Sequence, residues 1–197
     1  MSRGHVRLYL GEGYYDSGKY HSRVNGKKTP EYIIWGSMLT RCYSEKYKLR
    51  YKAYDGCTVS DNFKNFQYFA EWCNNQPGFN EVGYQLDKDL LISGNKLYSE
   101  DTCVFIPRVL NCFYTTYNGE FGEGVSKRKR SSKFEANITL LGMGKKKYLG
   151  SFTNKESAQE AYLVAKIEDS KNWYNLLISK NIPIDPRVIS RMKDWSP

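Results

Sequence analysis

A basic segment with the patterning of folded β structure, residues 121–155, constrains this chain more than any other feature. Nine lysine and arginine residues fall in it against two glutamates, so it carries +7 of the formal +9 of the 197-residue chain. A disordered tail would lack the regular spacing of apolar residues found there. Concentrated positive charge on folded β structure is the electrostatic signature of a nucleic-acid-binding surface.

The apolar spacing in this segment predicts strands and a helix. Two predicted strands, Phe134–Leu141 and Lys147–Phe152, flank the Gly142-Met143-Gly144 turn, and Val125 begins a third. The sequence Thr153-Asn154-Lys155-Glu156 has the spacing of a capping box, which predicts the start of a helix. Alanines on one face of that helix allow close packing on the sheet. A loop and a short closing helix are expected to follow.

The composition is that of a globular protein, with 40% hydrophobic and 26% charged residues. No apolar run approaches the ~20 residues needed to cross a bilayer, and the N-terminus lacks an apolar stretch of signal-peptide length. We therefore expect a soluble, intracellular protein with no membrane partner.

The five cysteines are odd in number and form no C-x-x-C pair, and both histidines lie near the N-terminus. A zinc site built from adjacent Cys/His pairs is therefore poorly supported. We expect free and mostly buried thiols in a reducing compartment. A distributed metal site that uses three or four of the thiols remains the alternative.

The N-terminal part divides into a basic arm and a helical region. Residues 1–30 are rich in glycine and tyrosine, with six Lys or Arg against two acidic residues. They form either a short hairpin with turns at the glycines or a flexible arm that orders on a polyanion, and we favour the arm. Helical spacing then predicts one helix around Ile34–Cys42 and a second over Asn62–Cys73.

A strand, a loop, a second strand and a helix are expected next, between Tyr84 and Tyr117. The first strand spans Tyr84–Ile92, the returning strand spans Thr102–Ile106, and a helix runs to Tyr114 with Pro107 at its first position. The polar, glycine-rich link that follows, Thr115–Gly124, is the expected domain boundary.

The C-terminal pattern GV…KFEANI…KKKYLGSFTNKESAQEAYLVAK resembles the apetala-type DNA-binding domain. The resemblance implies a three-stranded antiparallel sheet that lies in the major groove of double-stranded DNA, backed by one helix. Residues 127–130 lie in a loop-like tract that shows no alternation, so they are expected to contact phosphates. Lys133, Glu135, Asn137 and Thr139 share a strand face that is better placed to read base edges, although Glu135 and Asn137 could instead face solvent. The full set of expected DNA-binding residues is Lys127, Arg128, Lys129, Arg130, Lys133, Glu135, Asn137, Lys145, Lys146, Lys147 and Tyr148.

The upstream part is similar to the HNH-type homing-endonuclease-like proteins of bacteriophages. The similarity rests on WGSMLTRCY (35–43), YDGCTV (54–59), LDKDLLISGNKLYSEDTC (86–103) and FIPRVLN (105–111). It implies an α+β fold with an HNH-like ββα core and flanking helices at 31–117, followed by the apetala-type domain at 118–197. It also implies a location in the cytoplasm of a bacterial host cell.

An HNH site holds one divalent cation, and the resemblance assigns residues to it. Asp87 takes the carboxylate position and Asn111 the helix position, while Asn95 in the loop could orient the base or the phosphate. The general-base position holds Lys88, and a protonated lysine clamps phosphate but accepts no proton. Asp89 is expected to share a strand face with Asp87, with Lys88 pointing away, so Asp87, Asp89 and Asn111 would bind Mg²⁺ or Mn²⁺.

Three interpretations of these residues remain open: a solvated charge cluster, an unusual active nuclease site, or an inactive site retained for DNA binding. The chain is accordingly either a metal-dependent DNA endonuclease or nickase of the phage homing type, or a non-catalytic protein. The second alternative is a DNA-binding or host-directed phage protein on a degenerate HNH fold, with a host protein as a further partner.

Overall fold

A computed structural model describes residues 8–115, 119–129, 131–141, 144–193 and 195. Within these ranges the chain forms seven α-helices and eleven short strands, which confirms the α+β class. None of the described helices combines the length and apolar content that crossing a membrane requires. The chain divides into two compact units, residues 1–106 and 107–197.

The helices lie on both sides of this division. They are α1 (Pro30–Tyr43), α2 (Glu45–Arg50), α3 (Asp61–Lys64), α4 (Phe66–Asn74), α5 (Arg108–Tyr114), α6 (Lys155–Ser179) and α7 (Pro186–Lys193). The strands are β1 (Leu8–Tyr9), β2 (Gly13–Tyr14), β3 (Arg23–Val24), β4 (Lys27–Lys28), β5 (Thr58–Val59), β6 (Tyr84–Asp87), β7 (Leu97–Tyr98), β8 (Val104–Pro107), β9 (Val125–Lys127), β10 (Phe134–Thr139) and β11 (Lys146–Phe152). Strand β5 pairs with β7 in parallel, and β6 pairs with β8.

The core of the first unit is aromatic and lies between α1 and α4. Trp35 on α1 is buried, and its indole Nε1 donates to the backbone oxygen of Phe63 at 2.9 Å. The single helix predicted over Asn62–Cys73 is wrong, because α3 and α4 are separate. Asn65 lies between them, and its side chain accepts from the backbone N–H groups of Gln67 and Tyr68. Asparagine is a strong N-cap, so the second helix starts there.

The N-terminal residues 8–28 form two short hairpins, β1–β2 and β3–β4, rather than the flexible arm that we favoured. The Tyr9 ring lies 5.5 Å from the Trp35 ring. A Cβ on Gly13 would overlap Leu39 and come within 2.7 Å of Trp35, so this backbone is packed directly on α1. The hairpin alternative, with turns at glycines such as Gly26 (φ 75°), therefore describes this segment. Residues 1–7 lie outside the described part.

The second unit contains the predicted three-stranded antiparallel sheet, in the order β11–β10–β9, with α6 packed on one face. Ala136 and Ile138 of β10 are buried. The capping residue of α6 is Asn154 instead of the predicted Thr153, because the Asn154 side chain accepts from the Ser157 backbone N–H at 2.8 Å. The predicted closing helix is present as α7.

We expected a glycine-rich link at Thr115–Gly124 to separate two domains, but its described part at 119–124 is packed within the second unit. Gln159 on α6 donates to the Phe121 backbone oxygen at 3.1 Å, and the Phe121 and Phe134 rings lie 5.5 Å apart. Helix α5 is joined to α6 by a 2.6 Å hydrogen bond between the Tyr114 and Ser170 hydroxyls. These contacts place the division of the chain before α5, earlier than the predicted boundary at residue 118.

Candidate nucleic-acid interface and carboxylate loop

The sheet of the second unit has an outer face that points away from α6. Along β10 the buried residues alternate with Glu135, Asn137 and Thr139, which therefore lie on the outer face. Directly opposed residues of antiparallel strands share a face. Tyr148 opposes Asn137 and Lys146 opposes Thr139, so both belong to the outer face, and both are exposed.

The neighbouring basic residues Lys127 and Lys147 lie on the other side of the sheet. Lys147 opposes the buried Ile138, and the Lys127 ammonium lies 5.9 Å from the centre of the Phe134 ring. The run of three lysines at 145–147 thus does not form one patch, because Lys146 and Lys147 point to opposite faces. The side chain of Lys145, just before β11, is exposed.

The turn between β9 and β10 carries further exposed cations. Arg128, Lys129 and Lys133 are exposed, and Arg130 lies outside the described residues. The Arg128 Nε is 3.5 Å from a carboxylate oxygen of Glu135. Glu135, which we expected either to read base edges or to face solvent, is therefore beside a guanidinium, and that ion pair would have to open before the carboxylate could accept from a base.

The positive charge of the chain belongs almost entirely to the second unit. Residues 107–197 contain sixteen Lys and Arg against nine Asp and Glu, a net +7. Residues 1–106 contain fourteen against twelve, a net +2. Any polyanion that binds through charge is thus drawn to the second unit.

The predicted catalytic carboxylate, Asp87, ends β6 in the first unit and is buried. Its Oδ1 accepts from the backbone N–H groups of Asp89 at 3.0 Å and Leu90 at 2.7 Å. Burial raises the pKa of Asp87 above its usual value, while these two hydrogen bonds act in the opposite direction. The carboxylate therefore closes the turn that follows β6.

The Lys88 and Asn95 side chains stabilise the same loop through hydrogen bonds to its own residues. The Lys88 side chain is buried, and its ammonium donates to Asp89 at 2.5 Å and to the Asn95 backbone oxygen at 2.7 Å. The Asn95 amide donates to the backbone oxygens of Lys88 and Leu97, at 2.8 and 2.6 Å. The expectation that Lys88 points away from Asp89 is wrong, because β6 ends at Asp87 and strand alternation does not continue past it.

These contacts limit how the predicted residues could hold a metal. One Asp89 oxygen is neutralised by the Lys88 ammonium, so the two carboxylates do not form an open pair of hard ligands. Across the described residues no group of three or more His, Cys, Asp or Glu is placed to hold an ion. The third predicted ligand, Asn111, lies on α5 in the second unit, and its backbone oxygen accepts from Thr115. The loop geometry as it stands does not fit the proposed ion.

All five cysteines are free thiols, as expected. Cys42, Cys57, Cys73 and Cys103 are buried, and burial raises the pKa of Cys42 and of Cys103 to about 12. Cys112 on α5 is exposed. It is thus the thiol best placed to react.

Two cations, the buried Lys166 and the half-buried Arg41, have surroundings that were not anticipated from the sequence. Lys166 on α6 is 3% exposed and forms an ion pair with Glu123, at 2.7 and 2.8 Å. The Arg41 guanidinium lies 5.6 Å from the centre of the Tyr54 ring, and its Nε has no hydrogen-bond partner within the described ranges. Lys166 shares the helix face of Ala158 and Tyr162, which is a signal of burial that the helical spacing contained.

No protein-family model matches this chain, and no curated protein or solved structure matches it significantly.

Replacing Asp87 is expected to change the stability of the fold, because its side chain accepts two backbone hydrogen bonds. Asp87→Ala leaves two backbone N–H groups without their acceptor and should lower the free energy of unfolding by about 1–3 kcal/mol. Asp87→Asn keeps an acceptor oxygen. Because burial raises the pKa of Asp87, ionisation costs folding free energy as the pH rises above about 3.8, and the Asn variant lacks this cost.

Urea unfolding at pH 4 and pH 7 measures both effects. Asp87→Asn should match or exceed the wild type at pH 7 and lose that advantage at low pH. Equal stability of Asp87→Ala and wild type would show that the Asp87 hydrogen bonds do not hold the loop.

Proposed function

We propose that the protein binds double-stranded DNA through the outer face and the β9–β10 turn of the second unit. The observation that carries the proposal is the register of β10 and β11, which puts Lys146, Tyr148, Asn137 and Thr139 on one face away from α6. That face belongs to the unit with a net charge of +7. Cations, an amide and an aromatic side chain on one face suit a nucleic-acid surface.

The residues on this surface suit two kinds of contact. Lys129, Lys133 and Lys146 are exposed and would neutralise phosphates, which supplies affinity for any sequence. The Asn137 amide presents a donor and an acceptor, the pattern that pairs with the major-groove edge of adenine. The proposal covers binding alone, and it corresponds to the non-catalytic alternative because the carboxylate loop is closed by its own contacts.

The triple variant Lys129→Ala, Lys133→Ala, Lys146→Ala is expected to bind duplex DNA more weakly than wild type, with an affinity that depends less on salt. Loss of three phosphate contacts should reduce the slope of log K against log salt by about 3 and the affinity by roughly tenfold or more at 0.15 M salt. Fluorescence anisotropy over a salt series measures both quantities.

A matched control removes the same charge from the first unit. Lys27, Lys46 and Lys52 are exposed there, and their triple alanine variant should bind duplex DNA within about threefold of wild type. If both triple variants lost the same affinity for duplex DNA, the loss would depend only on net charge, and the proposed surface would be refuted.

Metal-dependent DNA cleavage of the phage homing type is the second candidate. The order β6, β7, β8 and α5 supports it, because β6 pairs with β8 and the helix follows at once, as the resemblance to an HNH-like core implies. Incubation with plasmid and duplex DNA plus Mg²⁺, Mn²⁺ or EDTA tests it, with Asp87→Asn as the fold-preserving variant. Cleavage that needs a metal and is lost in Asp87→Asn would support the endonuclease proposal. If the DNA stays intact with every metal, only the DNA-binding proposal remains.

A further inference from the structure

A groove of about 870 Å³ lies in the second unit, lined by α5, by Tyr162 of α6 and by sheet residues that include Asn137, Thr139 and Lys146. Val109, Phe113 and Leu140 supply apolar walls, and Ser126, Asn137 and Thr139 supply polar groups. This volume is in the range of pockets that enclose small organic ligands, which are mainly apolar with a few polar groups that fix orientation.

Two cations, Arg108 and Lys146, line the groove and give it a positive potential. Glu123 also lines it, but its carboxylate is neutralised by the buried Lys166 at 2.7 Å. Neither Arg108 nor Lys146 forms an ion pair with any residue in the described ranges. Both side chains are exposed, so a ligand can reach them. The groove therefore combines apolar walls with an uncompensated pair of cations.

We propose that this groove binds one unpaired nucleotide. The base would lie against the Phe113 and Tyr162 rings with its edge toward the Asn137 amide, and the phosphate would bind Arg108 and Lys146. A base paired within a duplex cannot insert into a groove of this kind, so the ligand is either a free nucleotide or a nucleotide in a single strand. The inference goes beyond duplex binding and does not depend on it. Because Asn137 and Lys146 line the groove and also lie on the outer face, a bound nucleotide and a duplex would compete.

Alkylation of Cys112 in the full-length protein reports on the groove directly. Cys112 lines the groove and is exposed, whereas the other four thiols are buried. A nucleoside monophosphate at millimolar concentration should slow alkylation of Cys112 by N-ethylmaleimide about fivefold or more, whereas the matching nucleoside or inorganic phosphate alone should slow it less than about twofold. Mass spectrometry of the labelled peptide gives the rate.

Two macromolecular probes distinguish the sources of the nucleotide. A single-stranded oligonucleotide that protects Cys112 at lower concentration than the monophosphate identifies a strand as the ligand, and the reverse order identifies a free nucleotide. A blunt duplex should protect less than the single strand. Because a duplex on the outer face would also cover Asn137 and Lys146, the comparison is repeated with the double variant Lys129→Ala, Lys133→Ala, which weakens duplex binding. Equal protection by duplex and single strand in that variant would overturn the proposal, since the groove would then not select an unpaired nucleotide.

Variants connect the protection to the two cations. Arg108→Ala and Lys146→Ala should each raise the nucleotide concentration needed for half-protection about fivefold or more, while Lys171→Ala, an exposed lysine of α6, should leave it unchanged. Equilibrium dialysis with a labelled monophosphate checks binding without the thiol. No binding by dialysis and no protection by any nucleotide, or full protection in Arg108→Ala, would overturn the proposal even if duplex binding is confirmed.

Discussion

Residues 107–197, expressed without residues 1–106, are expected to retain the affinity of the full chain for duplex DNA within about threefold, whereas residues 1–106 should lose at least about a hundredfold. The reason is the division of charge, a net +7 in the second unit and +2 in the first. With roughly five cations on phosphates, the second unit should keep a slope of log K against log salt near −4 or −5.

Anisotropy titrations over 0.05–0.3 M salt, across which the Debye length shortens about 2.5-fold, measure affinity and slope for the two fragments and the full chain. Circular dichroism and cooperative urea unfolding serve as controls that each fragment is folded. A folded 1–106 fragment that binds as tightly as the full chain, or a salt slope near zero for 107–197, would contradict the placement of the interface in the second unit.

Loss of the buried lysine of α6 is expected to be the most destabilising single change in the second unit. Lys166→Met removes the partner of Glu123 and should lower the free energy of unfolding by about 2–4 kcal/mol, somewhat less than the ~3–5 kcal/mol of a fully buried broken pair because Glu123 keeps some solvent exposure. The Lys166 ammonium also lies 5.3–5.7 Å from the ring centres of Phe113, Tyr162 and Trp195. Its loss removes these cation–π contacts as well.

A double-mutant cycle separates the ion pair from the packing. Lys166→Met with Glu123→Gln leaves no unpaired charge, so the double variant should be more stable than Lys166→Met alone by about 1–2 kcal/mol. Urea unfolding followed by tryptophan fluorescence and circular dichroism gives the four free energies. Strictly additive effects would mean that Lys166 and Glu123 do not stabilise each other, despite a separation of 2.7 Å.

Many elements followed from local patterns in the sequence. Apolar spacing predicted a helix where α1 lies, alternation predicted a strand where β10 lies, and α5 ends at Tyr114 as predicted. The errors have a common cause, which is competition between a local pattern and a specific side-chain contact. Asn65 caps α4 and so splits a continuous apolar stripe into two helices. The glycine-rich N-terminus is packed on Trp35, and composition alone does not reveal such a partner.

The carboxylate loop shows the same limit at the candidate site. The sequence singled out Asp87, Lys88, Asp89 and Asn95 as candidate site residues, and the structure brings them into contact with one another in a way that the sequence did not predict. Their hydrogen bonds run to each other and to the loop backbone, because β6 ends at Asp87. A strand that ends one residue earlier or later changes which side chain is buried, and local propensity does not fix strand ends that closely.

The sequence by itself determined the class of fold, the order of the elements in the second unit, the concentration of charge and the alternation along β10, because each depends on residue type and short-range spacing. Only the tertiary structure decided which lysines lie on the outer face. The register between β10 and β11 shifts after Ala136, which opposes Gly150, to Asn137, which opposes Tyr148. The extra residue of this bulge, Leu149, reverses the alternation along the rest of β11. Without it, Lys147 would point outward and Lys146 and Tyr148 toward α6, because each strand residue changes face with a one-residue slip.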